Sequence, residues 1–339
     1  RQYDLGLDMD MFNYRLNVKL DYYYKYTSSL IYDIPIPGSL YAFGAQVENA
    51  MEISNEGLEL ELQADILRES AVSWRMKFNM ARNWNRFEKS YSGKDVVDGD
   101  GTLLVVGRPL NGLYVWAHRG YYNSDAEVPR LYKIDGQEIY FNGVATNGIS
   151  GAVGDYRLLD LDGDGNPDSY YAGSPLPLAH GGWVNELMWK NFDLNVLVNF
   201  TIGRKMINNR MGLGFSRQSE DGHLTKLFDY RKLRPWDGVN KKPNAPAWGN
   251  SLSMNTDSAI EKVHHLALKQ ITLGYNLPDR ISKKAGLSGV RFFLTAENLF
   301  YLSNYSGGNP EVVNIYTGRD NGDTYPLPRK YTLGLTLNF

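Results

Sequence analysis

Apolar and polar residues alternate with a period of two along most of this chain, and that period predicts strands. Nine segments carry it. The first, 2–11, sets Tyr3, Leu5, Leu7, Met9 and Met11 against Gln2, Asp4, Gly6, Asp8 and Asp10. The second, 14–27, sets Leu16, Val18, Leu20, Tyr22, Tyr24 and Tyr26 against Arg15, Asn17, Lys19, Asp21 and Lys25. The third, 56–67, and the fourth, 71–87, repeat the pattern with Leu58, Leu60 and Leu62, then with Trp74, Met76, Phe78 and Met80. A weaker fifth segment covers 182–190, and a sixth covers 191–203 with Phe192, Leu194, Val196, Val198 and Phe200. The seventh and eighth lie at 264–277 and 288–302. The ninth is the carboxy-terminal YTLGLTLNF, with Tyr331, Leu333, Leu335, Leu337 and Phe339 on one face.

The polar faces hold charge and the apolar faces hold almost none. A segment of ten or so residues with that division suits a strand with lipid on one side and water on the other. Strands of soluble sandwiches are shorter, about 5–6 residues. The connections strengthen the reading, because short and long ones alternate. Phe12–Asn13, Arg68–Ser70, Lys190–Asn191 and the stretch PDRISKKAGLS are short; 28–55, 88–181, 204–263 and 303–327 are long. Outer-membrane barrels have short periplasmic turns and long extracellular loops. The predicted fold is therefore all-β: an antiparallel transmembrane β-barrel, its long loops extracellular and its carboxy-terminus periplasmic. Nine is an odd number, and an open nine-stranded sheet would leave unpaired edges in lipid. The rest of the barrel is expected from another chain or from residues preceding this one. A start at Arg1, with neither Met nor signal peptide, fits a mature or clipped segment of something longer.

Composition agrees. The chain has 339 residues, a net charge of −2 and 22% charged residues, which excludes a strongly basic nucleic-acid binder. It has no cysteine, hence no disulfide framework or thiolate metal site. Twenty-four Tyr, 7 Trp and 13 Phe coexist with a mean hydropathy of −0.42, as expected of a sheet with one greasy and one wet face edged by aromatics. No run of 18 apolar residues is present to make a transmembrane helix.

One motif suggests a metal. In DLDGDGNPD, Asp160, Asp162, Asp164 and Asp168 occupy positions 1, 3, 5 and 9 of a calcium loop, with Gly165 at the sharp turn and Asn166 offering a carbonyl. Position 12 is Tyr171 rather than a bidentate Glu. A structural calcium and a self-capped Asx turn are both compatible with the stretch. Enzymatic chemistry is not expected. Glu59, Glu61 and Asp65 share one strand face, but carboxylates on a lumen wall are ordinarily solvated. His264 and His265 are adjacent in a strand and point to opposite faces, and His118, His180 and His223 are scattered. Tyr114, Trp116, Tyr121 and Tyr122 in the 88–181 loop, with Trp236 and Trp248 in the 204–263 loop, could contact substrate, contact a partner or pack the loops together.

Several stretches, taken in order, resemble the carboxy-terminal part of the SusC/RagA family of TonB-dependent transporters of the Bacteroidota type. They are VENAMEISNEGLELEL (47–62), YRLLDLDGDGNPD (156–168), the block from GSPLPLAHGGWVNEL onward (173–209), LALKQITLGYNLPDR through NYSGGNPEV (266–312), and YPLPRKYTLGLTLNF (325–339). The resemblance implies a barrel of about 22 strands around an amino-terminal plug. It implies a SusD-like lipoprotein over the extracellular mouth, and TonB–ExbB–ExbD driving uptake of an oligosaccharide or peptide. It also implies that Tyr331, Leu335, Leu337 and Phe339 form a terminal signal read by the outer-membrane assembly machinery. The plug, the TonB box and the earlier strands are not in this chain, which alone could not transport. The alternative is a passive barrel or surface adhesin without energy coupling.

Overall fold

The computed structural model describes residues 1–36, 44–68, 70–97, 103–128, 130–132, 138–140, 153–161, 168–209, 234–239, 242–247 and 256–339. Nine long strands form one wall: β1 (Gln2–Met11), β2 (Leu16–Pro35), β3 (Ala45–Leu67), β4 (Val72–Lys89), β5 (Ala179–Trp189), β6 (Phe192–Asn208), β7 (Ile260–Asn276), β8 (Gly289–Ser303) and β9 (Lys330–Asn338). Each pairs with the next, and all eight pairings are antiparallel. A meander of this kind satisfies the inter-strand N–H and C=O groups while crossing hydrocarbon. The sheet curves without closing on itself. Among the described residues, no helix is long and apolar enough to cross a membrane.

All nine predicted segments are strands, in the predicted order. The register joins their apolar faces into one surface. Leu7 faces Leu20, Leu20 faces Leu60, and Leu60 faces Met80. Farther on, Leu187 faces Leu194, Leu194 faces Leu273, Leu273 faces Leu294, and Leu294 faces Leu333. These side chains are open to the surroundings: Leu5 is 73% exposed and Leu333 81%. So broad an apolar surface on a folded wall is a surface for lipid.

The opposite, concave face carries the charge, and it is tied together across strands. Arg75 reaches Asp65 at 2.6 Å, Lys77 reaches Glu186 at 2.8 Å, and Lys330 reaches Glu297 at 3.3 Å. Two glycines let side chains span a whole strand. The Tyr23 ring of β2 lies across Gly57 of β3, and its hydroxyl donates to Asn83 of β4 at 3.0 Å. Arg291 of β8 reaches Asp193 of β6 at 2.5 Å, directly over Gly274 of β7. A Cβ at either glycine would collide with the group above it.

The wall rises higher than the periodicity predicts. The stretch 28–55, expected as a long loop, is mostly strand: β2 runs to Pro35 and β3 begins at Ala45. The register shifts between Thr27 and Leu30, and Ser29 has φ 56°. That bulge moves the following side chains to the other face, so one period-2 pattern cannot continue through it. In the same way β6 continues to Asn208, past a shift between Thr201 and Arg204 where Gly203 has φ 72°.

The buried core lies where the long-connection ends of the wall strands pack against a layer of loop structure. Met51, Phe87, Val96 and Leu104 form one cluster there. Leu113, Val115, Ala172, Ile207 and Ala259 form a second, and Met206, Val263, Tyr305 and Val313 a third. Short two-stranded ribbons shape this layer. Leu113–Trp116 pairs with Ser169–Gly173, and His118–Tyr121 with Tyr156–Leu158.

A charge on the two faces should have very different costs. Leu294→Arg, in the apolar belt, is expected to destabilise the barrel by about 2–4 kcal/mol. Thr295→Arg, one residue on and facing the lumen, should stay within about 0.5 kcal/mol. Denaturant unfolding of the lipid-reconstituted full-length protein compares the two.

Candidate functional site in the lumen wall and loop layer

An open hollow of about 660 Å³ lies on the concave face, lined by Asn17, Lys19, Glu61, Lys77, Asn79 and His180 among others. Its floor is thin at Gly181–Gly182, where the Asn79 side chain accepts the Gly182 N–H at 2.5 Å. Thr201 lies opposite His180 on one side and His265 on the other, so the two imidazoles flank it on the same face. Among the described residues, the buried Nδ1 atoms of both have no hydrogen-bond partner. Glu59, Glu61 and Asp65 are on this wall, as their spacing predicts; Asp65 is held by Arg75. Within the described residues, no three His, Asp or Glu side chains converge as a metal site.

A turn from the β8–β9 connection roofs part of the hollow. Pro310–Val312 forms a single 3-10 turn, capped by the Asn309 side chain, which accepts the Glu311 N–H at 3.0 Å. Arg204 of β6 is buried beneath it. Its guanidinium donates to the carbonyls of Pro310, Val313 and Asn314 at 3.1, 2.9 and 2.6 Å. Glu311 hangs over the wall, 3.3 Å from Lys269 and 3.9 Å from His265. The fixed fork of the arginine suits this gathering of carbonyls. No motif announces Arg204, one of several charged residues on β6.

The predicted loop aromatics are brought into one layer, in different roles. Tyr122 is buried, with its backbone N–H bonded to the Asp155 carbonyl at 3.0 Å. Tyr114 and Tyr171 pack at 5.7 Å across their ribbon, and Arg108 lies over Tyr171 at 4.9 Å. Tyr121 stacks on Tyr156 at 5.4 Å. Trp116 bridges to Thr256, and His118 bonds Asp257, so the two longest connections are stitched together at that edge. Trp236 adds another stitch. It covers Gly154 and donates to Asn123 at 3.3 Å. Trp248 lies outside the described residues.

In the Asp/Gly motif, Asp162, Asp164 and Asn166 lie outside the described residues. Asp160 and Asp168 stand at its two ends. The Asp168 carboxylate accepts the Leu161 N–H at 2.5 Å, closing the base of the loop as an Asx turn would. Tyr171, the twelfth position, turns its ring to Arg108. At the terminus, Tyr331, Leu335 and Leu337 project from the outer face of β9, and Phe339 is 94% exposed.

Burial raises the pKa of the loop tyrosines. Tyr114 is pushed up from 10 to about 12, mainly by desolvation and also by Tyr171. Tyr121 is pushed higher, again by desolvation and then by Tyr156. The unfolded chain ionises these phenols first. Their contribution is therefore intact below pH 10 and falls away as pH rises from 10 through about 12. Tyr114→Phe should delay that alkaline loss, followed by tyrosinate absorbance. Because the Tyr114 hydroxyl has no hydrogen-bond partner among the described residues, the same substitution should be neutral or stabilising by up to about 1 kcal/mol at pH 7. Arg204→Ala leaves three carbonyls without their donor and should free the 304–329 connection at a cost of about 2–3 kcal/mol. Limited proteolysis should then cut that connection faster.

Comparison with known proteins places this architecture. A family profile described as "TonB dependent receptor-like, beta-barrel" matches residues 1–172. TonB-dependent receptor P3 of Formosa agariphila is 26% identical across the whole chain, and TonB-dependent receptor P26 of that organism is 29% identical over 99% of it. TonB-dependent receptor SusC of Bacteroides thetaiotaomicron is 26% identical over 99% of the chain. The chain spans about a third of the length of these relatives: 34%, 34% and 31% respectively. The solved structure of the RagAB peptide transporter shares the fold, with a TM-score of 0.74 and 24% identity over all of this chain and 35% of that one. The chain belongs to the TonB-dependent receptor β-barrel family of the outer membrane.

Proposed function

We propose that this chain is the carboxy-terminal barrel portion of a SusC-like importer that takes up oligosaccharides or peptides. The observation that carries the reading is the pairing of a nine-strand lipid-facing wall, open at β1 and β9, with a match along its whole length to about a third of each relative. The open edges pair with the remaining strands of the same transporter. A plug fills the lumen, and TonB–ExbB–ExbD acts through that plug. The long connections face outward, a SusD-like lipoprotein closes over them, and the carboxy-terminus lies in the periplasm. In this arrangement the wall residues only bind and guide.

The loop layer supports a lid. It is a packed platform, with its own buried clusters and cross-loop stitches, on which a partner can land without first ordering the loops. On the terminal strand, Tyr331, Leu335, Leu337 and Phe339 serve as the assembly signal. In the 88–181 connection, Asp160, Asp162, Asp164, Asn166 and Asp168 hold a structural calcium, whose hard oxygen ligands would rigidify the loop.

Two experiments test this. Affinity purification through the chain in mild detergent should recover a plug-bearing polypeptide and a surface lipoprotein, and uptake of the cognate substrate should vanish without TonB. Uptake that persists without TonB would leave a passive pore. For calcium, chelation should lower the melting temperature of the loop layer. Melting left unchanged by chelator, and by Asp162→Ala with Asp164→Ala, would remove the ion from the account.

A further inference from the structure

The outward face of β4 changes character above Met80. Its next alternate residues are Arg82, Trp84 and Arg86, and Lys89 follows after the register shift at Glu88. Arg82, Arg86 and Lys89 are all exposed. Their height is fixed by the strands beside them. Tyr3, Tyr24, Glu56 and Trp84 form one cross-strand row on the outward face. Along β4 itself, Arg82 stands ten residues above Val72 at the lower end of the strand, about 33 Å along the strand at ~3.3 Å per residue and about 25 Å in height at a tilt of ~40°. An outer-membrane apolar band is about 25 Å tall, and Tyr and Trp gather at its borders. The basic residues therefore flank the upper border of the lipid belt, at the level of headgroups.

Nearby carboxylates do not satisfy the two arginines. Glu52 accepts the Tyr26 hydroxyl and lies 3.7 Å from Lys89. Glu56 accepts the Tyr22 hydroxyl at 3.2 Å, and Glu88 accepts the Ser54 hydroxyl at 2.5 Å. Among the described residues, neither Arg82 nor Arg86 has an ion-pair or hydrogen-bond partner. The Arg82 guanidinium lies over the Trp84 ring at 4.5 Å, which lifts the charge away from the apolar belt.

We propose that Arg82 and Arg86, with Lys89 beside them, bind the phosphate groups of a phosphorylated glycolipid in the outer leaflet. A guanidinium meets a phosphate with two parallel donors, a match that a lone ammonium lacks. The apolar surface beside and below Arg82, made by Leu58, Leu60, Phe78 and Met80, would hold the acyl chains of the same molecule. The choice of leaflet rests on the outward orientation of the long connections proposed above.

The test uses delipidated full-length protein with its partners, mixed with purified outer-leaflet glycolipid whose phosphates are intact or enzymatically removed. Native mass spectrometry counts the retained lipid. The wild type should retain the phosphorylated form at least about tenfold more strongly, since each basic residue near the membrane surface adds to the attraction for anionic headgroups. Arg82→Ala with Arg86→Ala should lose most of that preference, and Arg82→Lys with Arg86→Lys should keep part of it. Heat-modifiable migration checks that each variant folds. Equal retention of the two lipid forms by the wild type, or no change in the alanine pair, overturns the proposal. Protease cutting of the long connections on intact cells reads the orientation separately. Protection there would overturn the leaflet assignment even where phosphate dependence holds.

Discussion

A backbone that crosses hydrocarbon has no water to bond, so each of its N–H and C=O groups needs a partner within the protein. The nine-strand ladder is the response, and the rest of the structure depends on it. Once the strands pair in register, their side chains must divide between two faces. One face becomes a continuous belt from Leu7 through Leu60 to Leu333. The other takes the ion pairs and amides of the lumen. The glycines at 57 and 274 belong to the same logic, since they let Tyr23 and Arg291 tie three strands together without breaking the ladder.

With its apolar face turned to lipid, the wall has no core of its own. The hydrophobic clusters therefore form where the chain leaves the membrane. There Phe87, Ile207 and Val263, on the upper ends of wall strands, pack against the connections. Arg204 shows how the two parts are joined. It projects from a wall strand and holds three carbonyls of the β8–β9 connection, placing Glu311 over the lumen. The loop layer is thus anchored to the barrel by buried polar bonds.

Much of this was legible in the sequence. All nine strands, their order and the alternation of short and long connections followed from period two, because the membrane imposes one uniform burial rule along each strand. The reading stopped where that rule ends. Past the bulge at Ser29 the side chains of β2 change faces, and Leu30 packs inward against the cluster around Phe87. The same happens in β6 beyond Gly203, where Arg204 and Met206 are buried. The loop aromatics were identifiable by type but not by role. Tyr122 enters the core and Trp236 bridges two connections, and both outcomes depend on neighbours far away in the chain. Arg82 and Arg86 were within reach of the pattern, as charges on a face that should be greasy.

The account stands or falls on the wall having one lipid face and one water face. The chain has no cysteine, so single cysteines can be placed along β8 and β9 and spin-labelled in the lipid-embedded full-length protein. Accessibility to oxygen and to a water-soluble relaxant should then alternate residue by residue. Positions 292, 294, 333 and 335 should prefer oxygen, and positions 293, 295, 332 and 336 the aqueous reagent. Uniform accessibility on both faces would contradict the account.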